Sequence, residues 1–121
     1  MKDNCTIKNM QGKETEDEKS LDYKLNFTGV FTIWEIEVKE DSKITADIYS
    51  VLDNEYIKVV LVNSKKEVIN LSEGNFNEKV DVNLSRGKNY IKLVSKGSKG
   101  RLKMSISEDD SISFKRIDLE H

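Results

Sequence analysis

From Leu21 to Ile106 the chain alternates apolar and polar residues with a period of two, and this alternation limits its fold more than any other feature. Leu21-Tyr23-Leu25-Phe27 opens the series, and Ile44-Ala46-Ile48, Val80-Val82-Leu84 and Leu102-Met104-Ile106 repeat it. A period of two sends successive side chains to opposite faces of a pleated strand, so each segment can bury one face. Several such segments between turn residues, with no convincing amphipathic helix, predict an all-β antiparallel β-sandwich or barrel of about eight strands.

The expected strands cover residues 21–28, 30–39, 43–51, 56–63, 67–71, 79–84, 89–94 and 101–107, with Ile112-Ser113-Phe114 a last edge strand or a tail. Within the second, Phe31 and Ile33 share one face while Trp34, Ile36 and Val38 share the other; a one-residue change of phase is produced by a β-bulge or by a strand buried on both faces, and the bulge is the favoured reading. The segment 56–63 is the most continuously apolar and is expected centrally in a sheet. Ser85-Arg86-Gly87-Lys88 and Lys96-Gly97-Ser98-Lys99-Gly100 read as glycine-containing hairpin turns. Residues 1–20 are polar and poor in large apolar side chains, and read as a flexible leader, with a short surface helix, an edge strand through Cys5-Ile7 or a tether as the alternatives. Residues 21–118 are expected to form a single sandwich domain, a suitable length for one two-layer core.

Leu119-Glu120-His121 looks like the start of a vector-encoded polyhistidine tag and is set aside as a remnant, 119–121. With it goes His121, the only histidine, and so the commonest general base and metal ligand. Charged residues make up 35% of the chain with both signs interspersed, and the formal net charge of -2 becomes -1 without Glu120. Such a surface sets up no field for drawing in nucleic acid, and no nucleic-acid partner is expected. No stretch approaches the ~20 apolar residues of a membrane-crossing helix, and no signal-peptide core is visible. The chain is therefore read as cytosolic or as preceded by an export signal, with any membrane link through a tether.

Cys5 is the only cysteine, which excludes an internal disulfide, and the polar Lys2-Asp3-Asn4 before it is unlike a lipidation lead-in. No G-x-S-x-G elbow and no cluster of Cys and His occurs, so neither catalysis nor a zinc site is expected, and no cofactor. Calcium ligands could come only from turn acids, Asp41, Asp53, Glu73 and Glu108-Asp109-Asp110, which lack EF-hand spacing and read as solvated. Lys92, Lys96, Lys99, Arg101 and Lys103 read as a basic edge that resists edge-to-edge pairing, with binding of an acidic polymer as the alternative.

Exposed aromatics are the remaining recognition groups, since an aromatic face complements the C–H patches of a sugar ring. Trp34, Tyr49, Tyr56 and Phe76 are the candidate ligand-binding residues. Trp34 is in phase with Ile36 and Val38 and is expected in the core, Tyr49 is out of phase with Ile48 and expected outside, and Phe76 lies in a polar loop.

Leu84-Ser85-Arg86-Gly87-Lys88-Asn89-Tyr90-Ile91-Lys92-Leu93-Val94 followed by Gly100-Arg101-Leu102-Lys103-Met104-Ser105-Ile106 resembles the closing strands of small secreted bacterial modules of the pre-peptidase C-terminal type. Those modules carry a Leu-x-x-Gly-x-x-Tyr turn-strand and then a Gly-x-Leu-x-Leu-x-Ile strand, and Ile57-Lys58-Val59-Val60-Leu61-Val62-Asn63 is similar to their preceding central strand. The resemblance spans about half of the chain and rests on fold-determining positions. It implies a jelly-roll-like sandwich outside the cytoplasm, acting as an accessory binding or spacer module, and transfers no catalytic residue. The chain departs from those modules in having no attached enzyme domain, which points to a small surface protein or lipoprotein. The expectation is a monomeric, non-catalytic module that binds a glycan or protein at the cell envelope, with a structural or protein-interaction domain as the alternative.

Overall fold

The described residues form eight antiparallel strands: β1 (Asn4–Glu14), β2 (Ser20–Val38), β3 (Ser42–Leu52), β4 (Ile57–Val62), β5 (Val68–Glu73), β6 (Phe76–Leu84), β7 (Gly87–Ser107) and β8 (Ser113–Arg116). The structure, a computed structural model, describes residues 4–14, 20–53, 57–107 and 113–116, with side chains at 22–24, 26, 28–53, 57–97 and 99–107. Among the described residues there is no helix.

Two long strands organise everything else. β2 and β7 pair over nearly their whole length, from Ser20↔Ser105 to Val38↔Gly87. The later part of β7 also pairs with β3 (Thr45↔Ser107 to Leu52↔Gly100), and β3 pairs with β6. The earlier part of β7 pairs instead with β4 (Ile57↔Ser95 to Val62↔Tyr90), and β4 pairs with β5. One continuous hydrogen-bonded network thus doubles over into two layers. The first runs β1-β2-β7-β3-β6 and the second β8-β2-β7-β4-β5. With each long strand counted once per layer, and β1 and β8 taken as added edges, this is the two-sheet order of a jelly roll.

The crossing between layers needs backbone that bends. β2 and β7 shift register between Phe27 and Thr28, beside Gly29 (φ 118°) and Gly97 (φ 85°). Both glycines hold positive φ, which side-chain-bearing residues adopt at a cost. Gly100 meets a different demand: a Cβ there would lie 2.2 Å from the Val51 carbonyl oxygen and 2.8 Å from Leu52 Cα.

The predicted bulge is present. β2 shifts register again between Thr32 and Trp34, leaving Ile33 unpaired against β7. That extra residue lets Ile33 and Trp34 both be fully buried, and moves the core face from Phe31 to Trp34, Ile36 and Val38. One core joins both layers, with Ile44, Ala46, Ile48, Leu102 and Met104 from the first and Ile57, Val59, Leu61, Ile91 and Leu93 from the second. As expected, β4 is interior to its sheet, between β5 and β7.

Three expectations need correction. Lys96–Gly100 is the bend of the unbroken β7, because the glycines there let the strand change layers while keeping its ladder with β2. Ser85–Arg86 is an arch between layers, since β6 pairs with β3 and not with β7. The basic edge dissolves for the same reason: β7 is a central strand, and Lys99, Arg101 and Lys103 pair with Asp53 and Asp22. Within the stretch read as a flexible leader, Asn4–Glu14 forms β1, which covers the open side of the first half of β2 from Asn4↔Val30 to Glu14↔Leu21. A polar sequence suffices there because an edge strand is held by backbone hydrogen bonds. Residues 108–112 and 117–121, including the tag remnant 119–121, lie outside the described residues.

Candidate functional site

The four aromatic candidates do not come together. Trp34 is fully buried in the core, as its phase predicted. Phe76 is half-buried and packs against the core at the start of β6, paired with Ser50. Its polar loop is shorter than expected and tied down: Ser50 Oγ donates to the Gly74 carbonyl (2.6 Å), and the Leu52 amide donates to Asn75 Oδ1 (2.7 Å). Tyr56 lies outside the described residues. Tyr49 alone is presented to solvent, 36% exposed on the outer face of the first layer.

Strand pairing sets what surrounds Tyr49. It stands beside Asn77 on β6 and Lys103 on β7, with Asp22 of β2 next in that row. The adjacent row holds Val51, Arg101 and Lys24. Arg101 reaches diagonally to Asp22 with two parallel hydrogen bonds, Nε to Oδ1 at 2.9 Å and Nη2 to Oδ2 at 2.8 Å. The hydrogen bond and charge of Asp22 hold the guanidinium's pKa above its ordinary value. This fork fixes a long side chain in one pose and leaves its remaining N–H donors for a ligand. Tyr49, Val51 (52% exposed), Arg101, Lys24, Asn26 and Asp53 line an open groove of about 620 Å³. An exposed ring, an exposed aliphatic side chain and fixed polar groups together suit a ligand with both apolar and hydroxyl-bearing faces.

Asp22 was not singled out in the sequence, and Arg101 only as a member of the basic edge. Their outward direction is legible, since each alternates with buried Tyr23 and Leu102. Their meeting is not, because the register between β2 and β7 decides it.

The turn acids are separately engaged. Asp41 Oδ1 accepts from the Arg86 amide (2.9 Å), Asp53 pairs with Lys99 (3.8 Å), and Glu73 pairs with Lys58 (3.4 Å). Glu108, Asp109 and Asp110 lie outside the described residues. Among the described residues, no group of three or more His, Cys, Asp or Glu is placed to hold a metal ion.

A larger depression, about 1180 Å³, lies at the other end of the molecule between the β4–β5 and β6–β7 connections. It extends over the outer face of the second layer to Tyr90, which is half-buried with its hydroxyl donating to Glu35 Oε1 (3.2 Å). Burial and the neighbouring Glu35 raise the Tyr90 pKa above 10.0. Lys92 Nζ stands 5.8 Å from the centre of the Tyr90 ring.

No protein-family model and no curated protein sequence matches the chain. Among solved structures it is similar to procruciferin, an 11S globulin from Brassica napus, at 9% identity and a TM-score of 0.39, over 88% of this chain and 26% of that one. It is also similar to a family two carbohydrate esterase from Cellvibrio japonicus, at 11% identity and a TM-score of 0.40, over 98% of this chain and 36% of that one. The chain thus spans about a third or less of the length of either protein.

Proposed function

We propose that the chain is a non-catalytic binding module acting outside the cytoplasm, and that it takes a glycan on the outer face of the first layer with Tyr49 as the stacking platform. The observation that carries this reading is the pairing of an exposed ring with the Arg101–Asp22 fork in adjoining rows of a rigid sheet. A sugar ring laid on Tyr49 would place its equatorial hydroxyls beside the guanidinium, Asn26 and Lys24, and the site would be largely formed before the ligand arrives. The extracytoplasmic setting rests on the resemblance to secreted pre-peptidase C-terminal modules.

Titration with a panel of neutral oligosaccharides, read by calorimetry, tests the proposal. Tyr49→Ala should weaken binding roughly tenfold, the scale of one lost aromatic contact. Arg101→Lys should weaken it as well, because lysine cannot reproduce the fork. Equal affinity in wild type and Tyr49→Ala would sink the assignment. The second reading, a protein contact, is favoured by Val68 (50% exposed) and Ile69 (41% exposed) on the edge strand β5. Glycan silence together with concentration-dependent oligomerisation would select it.

A further inference from the structure

The depression at the loop end is lined mainly by cations. Lys65, Lys66, Arg86, Lys88 and Lys92 line it against a single lining carboxylate, Asp41, in a chain of formal net charge -2. Lys88 is answered by Glu35 at 3.7 Å. Among the described residues, Lys65, Lys66 and Arg86 enter no ion pair, and Asp41 is engaged by the Arg86 backbone amide.

These cations sit on loops that are stapled. In the β4–β5 turn, Asn63 Oδ1 accepts from the amides of Lys65 (3.0 Å) and Glu67 (2.9 Å), while Asn63 Nδ2 donates to Glu67 Oε1 (3.1 Å). In the facing arch, fully buried Asn89 donates to the carbonyls of Ser85 (2.8 Å) and Gly87 (3.3 Å) and accepts from the Ser85 amide (3.2 Å). The loops join through the Ser64 and Ser85 hydroxyls and the Ser64 amide, which donates to Ser85 Oγ at 3.1 Å. They approach so closely that a Cβ at Gly87 would lie 3.2 Å from Ser64 Cβ.

Lys66 adds an independent observation. Its φ is 64°, the left-handed region, and it is the only non-glycine residue with positive φ among the described residues. A glycine would satisfy this turn without strain, so a lysine there holds a cation at the groove rim against a conformational penalty.

We infer that this groove is a second binding site, and that its ligand is an anionic polysaccharide whose regularly spaced oxyanions are received by Lys65, Lys66 and Arg86. A nucleic acid fits less well: bases need stacking faces, and the one aromatic residue lining the groove, Tyr90, is half-buried and tied to Glu35.

Affinity electrophoresis of the full chain in polygalacturonate, dextran sulfate and uncharged dextran gives the test, with an oligothymidylate titration alongside. Wild type should be retarded by an anionic polymer and not by dextran, and retardation should fade between about 50 and about 500 mM salt as the charges are screened. Preference for the carboxylate or the sulfate polymer would identify which oxyanion the site serves. The Lys65→Ala/Arg86→Ala pair should weaken binding roughly tenfold. Lys66→Gly should weaken it too while raising the melting temperature by about 2–5 °C, which separates a binding role from a structural one. Tyr49→Ala should bind the anionic polymers like wild type, so this site can fail or stand independently of the first. Indifference to both anionic polymers, wild-type affinity in the double variant, or tighter binding of oligothymidylate would overturn the inference.

Discussion

Asn89 is fully buried, yet its amide touches mainly backbone. It serves the arch as a stand-in for missing ladder partners, and buried amide and carbonyl groups without partners are costly. Asn89→Ala should therefore remove about 2–3 kcal/mol of stability, because Ser85 loses the partner of its amide and of its carbonyl at once. Urea denaturation would read this, and a loss below about 0.5 kcal/mol, within the range of ordinary surface changes, would show that water replaces the side chain. Asn63 has a comparable role one loop away. Trp34 shows the opposite case, a large apolar group wholly enclosed, and so its fluorescence reports folding and not ligand binding.

At the scale of the element, β7 is the strand that everything else reads. Its pairing with β3 depends on Gly100, whose α-carbon faces the backbone of Val51 and Leu52 with no room for a methyl group. Backbone cannot move aside as a flexible side chain can, so Gly100→Ala should cost about 3 kcal/mol or more, measured by thermal or urea unfolding. Near-normal stability would mean that β3 and β7 can separate locally. This element also shows what the sequence discloses. The alternation at Leu102-Met104-Ile106 and the phase change at Ile33-Trp34 mark buried faces and a bulge correctly, because both depend on side chains within a few residues of each other. Lys96–Gly100 looked like a hairpin because glycines permit reversal and bending alike, and only the pairing with β2 decides between them. Asn4–Glu14 looked like a leader because an edge strand needs backbone partners more than apolar side chains. For the site, Tyr49 and its outward direction were legible, whereas the Asp22–Arg101 fork and the grouping of Lys65, Lys66 and Arg86 depend on long-range register and on loop contact.

For the whole molecule, β2 and β7 belong to both layers, so neither layer can close without them. The single core that joins the layers adds to this dependence. Unfolding should be all-or-none: urea transitions followed by Trp34 fluorescence, in the second layer, and by far-ultraviolet circular dichroism should superimpose. Two separated transitions would mean that one layer survives the other. The sharing of long strands also has a consequence during synthesis. Val38 finds its partner in Gly87 and Ser20 in Ser105, so β2 emerges from a ribosome well before the strand that completes it. At roughly 5–20 residues per second, its apolar face would wait several seconds without its mate. A nascent chain of this design is a client for holding chaperones until β7 has been made.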